Sequence, residues 1–436
     1  MSVTHTSIVQ WSVKKPNAEV ERFLARPAFP AEAEAAAAEV LADIRRRGER
    51  AILNAAKKFD GVPLTPSELR VGGAELSAAA KGVPPNVRRA VKEAHRRVMA
   101  FARGGLREPW YLRTPGGGYT GEFFSPMDRV GVYVPGGTAP LASTAIMTVT
   151  LAKAAGVKAI VACTPCGKDK AVNPVLLYAL KLAGATEVYR VGGIQAIGLM
   201  AFGTETVRPV QKIAGPGNAY VTAAKRQVYG YVAIDQVAGP SEIAILADEG
   251  APPAWIAADL LSQAEHGSGH EKALLVTDSQ TLAEAVCDEI AWQAAKLPRA
   301  AMVGRVIASG GILLAVVPDL RQGMALVNRF APEHFEIMTY EPRAFVNDVR
   351  AAGAVFVGRW TPEAAGDFIA GPSHVLPTGG AARMFNGLTA DDFRRRHSFV
   401  EFTREDLEET CGAIEAFAEV EGLAAHGRSA SIRFGR

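Results

Sequence analysis

The chain has 436 residues, of which 48 are basic, 45 acidic and 48% hydrophobic, leaving a formal net charge of +3. That length implies two or more domains, and so even a charge balance gives no case for a nucleic acid or an anionic membrane as partner. The start MSVTHTSIVQWSVKKP lacks a secretory pattern, no run of about 18 uncharged apolar residues occurs, and four cysteines do not make a disulfide framework, so a cytoplasmic enzyme or binding protein is expected.

Residues 31–57 are rich in Ala, Leu, Glu and Arg with helical spacing, and 85–103 read as a second helix. From about 130 the pattern alternates. Strands are expected at 129–134, 158–163, 187–191, 209–213 and 231–235, with helices at 143–155, 174–184, 194–202 and 218–228 between them. A second set follows: strands at 243–247, 273–277, 312–317, 335–339 and 353–357, with helices over 253–266, 279–296 and 319–329. Strand and helix in turn predict βαβ units, hence an α/β fold with two parallel-sheet units. From about 385 the chain is more charged: Arg394-Arg395-Arg396 reads as a solvated face, a helix is expected over 405–424, and SASIRF reads as a closing strand.

Two motifs mislead. Cys163 and Cys166 form C-x-x-C, but they sit where the apolar run KAIVAC ends and no second pair exists, so a structural reading is favoured. Residues 116–121, GGGYTG, match the dinucleotide pattern G-x-G-x-x-G. Neither a leading strand nor a following helix is present, and a glycine-rich hairpin turn is expected instead.

Four places gather polar residues at element ends. Gln263 and His266, three apart in DLLSQAEH, share one helical face. Glu333 and His334 stand between a helix and a strand, Asp367 is followed seven residues on by His374, and Glu421 and His426 lie near the C-terminus. Two His, one Asp and one Gln make a thiolate-free ligand set that suits zinc or manganese with positions open to substrate. An imidazole titrating near neutrality suits a general base, and a neighbouring carboxylate suits activation of water. His270 is four residues from His266, but Gly267 and Gly269 intervene and end the helix. Three glycine-rich turns, at 132–141, 191–197 and 214–221, would let backbone amides approach a ligand, with Tyr133, Gln195 and Asn218 beside it.

Together the strings VGVYVPGGTAPL, VGGIQAI, AGPGNAYV, IDQVAGPSEI, LLSQAEHG, APEH, AGDFIAGPSHVLPT and EGLAAH resemble, in order and spacing, the histidinol dehydrogenase family, over about residues 30–434. The resemblance implies two Rossmann-like α/β domains with parallel sheets, plus small N-terminal and C-terminal extensions that pack in an intertwined homodimer. It divides the chain into an extension at 1–29, a discontinuous unit of 30–132 with 243–384 carrying the metal and catalytic residues, an NAD-binding unit at 133–242, and an arm at 385–436 that reaches the partner's active site. It implies oxidation of L-histidinol to L-histidine through histidinaldehyde with two NAD. Zinc, for which manganese can substitute, would be held by Gln263, His266, Asp367 and His426, the last from the partner subunit. His334 would be the base and Glu333 would activate water. Ser241, Gln263, His266, His334, Asp367, His374, Glu421 and His426 would contact substrate, and Tyr133, Gln195 and Asn218 would contact NAD.

The family pattern is not kept everywhere. Ala102 and Gly105 stand where polar residues are expected, and Glu122 replaces a Gln. They keep open an alternative, a related metal- and NAD-dependent dehydrogenase acting on another small polar amino or sulfonated alcohol. A metal-dependent regulatory protein on the same fold is a third reading, disfavoured by the presence of both Glu333 and His334.

Overall fold

Apolar runs such as KALLVT and ILLAV are too short for helices, and burying them on both faces requires helices above and below a parallel sheet. The computed structural model, which describes residues 6–25, 29–136, 140–266 and 268–435, contains two such sheets and a third, smaller one. In chain order the strands are β1 (Ser7–Gln10), β2 (Trp110–Arg113), β3 (Tyr119–Pro126), β4 (Arg129–Tyr133), β5 (Ala159–Thr164), β6 (Glu187–Arg190) and β7 (Lys212–Ala214). They continue with β8 (Ala233–Ile234), β9 (Glu242–Ala247), β10 (Lys272–Thr277), β11 (Ile312–Val316), β12 (His334–Met338), β13 (Ala354–Val357) and β14 (Arg394–Glu401).

The middle sheet has order β6-β5-β4-β7-β8 and is parallel throughout. The second sheet, also parallel, has order β1-β11-β10-β9-β12-β13. Its side chains alternate between two cores: Ala273 and Leu275 face the helices Pro253–Ala264 and Gln280–Ala294, while Leu274 and Val276 face Phe23, Phe330 and their neighbours. Each large apolar side chain buried this way contributes about 1.5–3 kcal/mol relative to exposure.

The fold is the α/β architecture expected, but four details differ. The helices Ala31–Arg47 and Pro85–Gly104 cover the two faces of the middle sheet, so 31–104 joins the core of that unit rather than that of 243–384. The described part of the 1–29 segment does not stand apart either, because β1 pairs with β11 at the edge of the second sheet. The SASIRF segment is not a strand. It continues the helix Ala424–Ser431 into a short 3₁₀ turn, and this helix packs closely on Arg404–Val420 as a hairpin: a Cβ on Gly427 would lie only 3.2 Å from that of Ala418. The expected single helix over 31–57 breaks at Gly48, whose φ of +54° suits glycine.

The third sheet, β14-β3-β2, is antiparallel. Residues 114–118 close its β2–β3 hairpin, so Gly116–Gly118 of GGGYTG form the expected turn and Tyr119–Gly121 begin β3. Its glycine amides serve the chain itself: Gly116 and Gly118 donate to the Asp406 carboxylate at 2.7 and 3.0 Å, tying the hairpin to the C-terminal helix Arg404–Val420. Cys163 is buried in the core and neither it nor Cys166 forms a disulfide. Among the described residues no helix is long and apolar enough to cross a membrane.

Candidate active site and metal cluster

The two parallel sheets meet edge to edge. Tyr133 ends β4, Gly192-Gly193 follow β6 and Gly215–Asn218 follow β7, so the glycine turns lie on the C-terminal edge of the middle sheet, the usual ligand edge of open α/β sheets. Ser241 precedes β9 and His334 begins β12, so the second sheet contributes its N-terminal edge. The cleft between them has two adjoining lobes. One, of about 220 Å³, is lined by Gly215, Asn218, Gln236, Ser241, Glu333 and His374 among others. The other, of about 360 Å³, is lined by Thr144, Ser241, His266, Glu333, His334 and Asp367 among others. Gly137–Ala139 of the first glycine-rich turn, and Gly267 after the Gln263–His266 pair, lie outside the described residues.

His334 is wholly enclosed. Its Nδ1 faces two oxygens, the backbone carbonyl of Glu242 at 3.1 Å and Oε1 of Gln263 at 2.9 Å. A backbone carbonyl cannot donate, so in the neutral ring the proton sits on Nδ1 and the lone pair on Nε2. Nε2 is buried without a hydrogen-bond partner, 3.5 Å from Asp367 Oδ1 and 3.9 Å from Glu363 Oε1. Burial opposes charge on this imidazole, but Glu333, Asp367 and Glu363 outweigh it and raise it to about 9. Glu333, whose Oε2 accepts the Glu242 N–H at 3.1 Å, is pushed by burial up to about 8 against the pull of His334.

The ligand atoms of His266, Glu363 and Asp367 all lie within 4.8 Å of one another. His266 sits at the rim, between Ser241 Oγ (3.1 Å from its Nδ1) and Gln263 Nε2 (3.3 Å from its Nε2), and burial lowers its basicity. Burial opposes the charge of Asp367 too, yet His334, His374 and His266 hold its carboxyl well below the usual range. Glu363 and Asp367 are four apart on the helix Glu363–Phe368, so they share a face. The N–H of Glu363 donates at 2.6 Å to Glu336, buried in β12, and this fixes where that helix begins. A borderline divalent cation fits this donor set, which leaves Glu363 Oε1 buried and unpartnered without one.

Of the residues singled out in the sequence, Ser241, Gln263, His266, Glu333, His334, Asp367 and His374 converge here. His374 is held by Thr144 at 3.1 Å and by the Asp367 carbonyl oxygen at 3.0 Å. Asn218 lines the cleft and caps the helix Ala219–Val228, whose N-terminus suits a pyrophosphate. A Cβ on Gly215 would lie 2.2 Å from the Tyr133 carbonyl, so only glycine lets this turn approach so closely. Tyr133 and Gln195 are buried behind the second turn instead. Tyr133 Oη accepts the Gly193 N–H at 3.2 Å and Gln195 donates to Asp60 at 3.0 Å. Glu421 and His426 are exposed on the C-terminal helical hairpin and line neither lobe. His270 lines a separate cavity beside Phe23. Glu363 is a member of this group that the sequence does not single out.

The histidinol dehydrogenase family model matches residues 26–434. The chain belongs to that family. A histidinol dehydrogenase from Synechococcus is 44% identical over 400 residues, covering 92% of each protein. One from Geobacillus kaustophilus is 43% identical over 395 residues, covering 91% of this chain and 92% of the relative. The crystal structure of histidinol dehydrogenase from Elizabethkingia anophelis superimposes with a TM-score of 0.93 at 35% identity, over 99% of this chain and 98% of that one. In this member of the histidinol dehydrogenase family, Ala102, Gly105 and Glu122, singled out in the sequence, line neither lobe of the cleft. Ala102 is buried in the helix Pro85–Gly104 and Gly105 caps it, while Glu122 on β3 accepts Trp110 Nε1 at 3.0 Å.

Proposed function

We propose that the protein oxidises L-histidinol to L-histidine in the cytoplasm, as a homodimer using two NAD and one zinc ion per site. The observation that carries this reading is the buried, unpartnered Nε2 of His334, facing the His266–Glu363–Asp367 group inside a cleft bounded by the Gly215 turn. Zinc held by Gln263, His266, Asp367 and His426 of the partner subunit, with Glu363 beside it, would offset the carboxylate charge around His334 and orient the imidazole and amine of the substrate.

With NAD in the cleft to accept hydride in each oxidation, His334 would take the alcohol proton on Nε2 and release it to solvent before the second round. Glu333 would take a proton from the water that adds to the aldehyde, and His334 would then take the one hydroxyl proton left on that adduct. The sum is one alcohol, one water and two NAD giving one carboxylate, two NADH and three protons. Ser241 and His374 line the cleft where the substrate would sit, and Tyr133, Gln195 and Asn218 serve NAD, the first two by supporting the turn at Gly193. The homodimer reading is supported by apolar side chains left exposed, Phe417 and Val420 on the arm and Leu112 on β2 of the small sheet that the arm joins.

Purified protein supplied with zinc, NAD and histidinol is expected to release two NADH per histidinol. Absence of NADH above blank would overturn the reading, and a higher kcat/KM for another amino or sulfonated alcohol in a substrate panel would favour the alternative.

A further inference from the structure

The loop between β8 and β9 joins the two sheets and is stapled under the Gly215 turn. Asp235 accepts the N–H of Gly215 at 2.8 Å and that of Gln236 at 2.7 Å. It also pairs with Lys225, whose Nζ donates to the Gly215 carbonyl at 2.9 Å, and both side chains of this pair are buried. The backbone of Gln236 is thus fixed against the cofactor turn. Its side chain is equally confined: the residue is 3% exposed and lines the 220 Å³ lobe. Yet neither Nε2 nor Oε1 has a hydrogen-bond partner.

A buried amide with both its donor and its acceptor unsatisfied is costly, unless a ligand returns both bonds. One ligand group does this from a single carbon, another primary carboxamide, which pairs with glutamine through two parallel N–H···O bonds. Histidinol offers a donor-only ammonium, a hydroxyl, and an imidazole whose donor and acceptor point apart. NAD offers a carboxamide on the very ring that must approach His334. We infer that Gln236 is a cofactor-contacting residue whose side-chain amide pairs with the nicotinamide carboxamide and sets the orientation of the ring. The inference rests on the reading of the chain as an NAD-dependent dehydrogenase. It also separates two glutamines: Gln195 gives its amide to Asp60, and Gln236 keeps its own for the cleft.

The test is Gln236→Met, which keeps length and removes both polar atoms. Direct titration with NAD should show binding weakened about tenfold, the size of one or two neutral hydrogen bonds. In turnover the loss should fall on KM for NAD rather than on kcat or KM for histidinol. The preference for NAD over its 3-acetylpyridine analogue, which lacks the amide N–H, should shrink with it. The NAD-free variant should melt no lower than the parent, because two orphaned atoms have gone. Unchanged NAD affinity and analogue preference would overturn the inference. So would a lower melting temperature with both KM values raised, which marks a purely structural side chain. If the parent itself makes no NADH from histidinol, the functional reading fails, and the NAD titration still decides the role of Gln236.

Discussion

Oε1 of Gln263 lies 2.9 Å from Nδ1 of His334, on the side of the ring away from the carboxylates of Asp367 and Glu363. With the Glu242 carbonyl at 3.1 Å it holds the Nδ1 proton in place and leaves Nε2 basic. Replacing the ring should therefore remove the base without removing the cation. For His334→Asn, kcat is expected to fall by roughly 10²–10⁴-fold, with metal content per chain unchanged. A loss much smaller than this, read from initial rates of NADH formation, would take the base role away from His334.

Glu363 belongs to the same group of ligand atoms as His266 and Asp367. In Glu363→Gln the buried oxygen near His334 Nε2 loses its charge while the side chain keeps its shape. Cation affinity is expected to fall by about 10–100-fold, measured by competition with a chromogenic chelator. Equal affinity in parent and variant would assign Glu363 to substrate contact instead.

Which parts of this site a sequence reader can find depends on how far apart the partners are. Gln263 with His266, and Glu333 with His334, are legible because each pair sits within one element end. Glu363 becomes a neighbour of Asp367 only when 363–368 closes into a helix, and that six-residue helix is too short to announce itself by periodicity. Gln236 has no local signal at all. Its meaning comes from the Gly215 turn, some twenty residues away, and from a cavity wall. The wrapping of 31–104 around the middle sheet is likewise a matter of tertiary packing: amphipathic helices state that they have an apolar face, not which sheet covers it. β1 is only four residues long and finds its partner β11 some 300 positions later.

Stripping the metal should abolish activity while leaving the fold, because the ligands within one chain stand on or beside elements packed on the second sheet rather than on a loop that only the cation orders. Zinc should restore both activity and melting temperature. At a hundredfold excess over its dissociation constant, the added stability is about 2.7 kcal/mol. Circular dichroism of the stripped protein collapsing to that of an unfolded chain would contradict this order of events.

Asp406 gives a pH signature. Burial works against its charge, but the N–H groups of Thr403, Gly116 and Gly118 and the Thr114 hydroxyl prevail and hold it at about 2, below its usual 3.8. A carboxyl with a depressed folded value contributes stability above its unfolded value and loses it as pH falls through the folded one. The melting temperature of Asp406→Asn should therefore lie furthest below that of the parent near pH 6–7. The gap should close as pH falls from about 4 towards 2. A gap that stays the same down to pH 2 would mean that the charge of the Asp406 carboxylate contributes nothing to stability.

The exposed position of His426 on the C-terminal helical hairpin makes sense if that side chain completes a site in the other subunit. Two variants then complement each other. His334→Asn lacks its own base but still offers His426 across the interface, and His426→Ala lacks the ligand it lends but keeps its own base. Each homodimer should be nearly inactive. A mixed dimer holds one site in which both residues are intact and one in which both are lost. Random reassortment of equal amounts makes half the dimers mixed, so activity should recover to roughly a quarter of the parent value in a closed two-fold assembly. Recovery should require unfolding and refolding together, or co-expression, so that subunits exchange. If His426 acts within its own chain, every mixed dimer pairs one defect with the other in separate sites, and no activity returns.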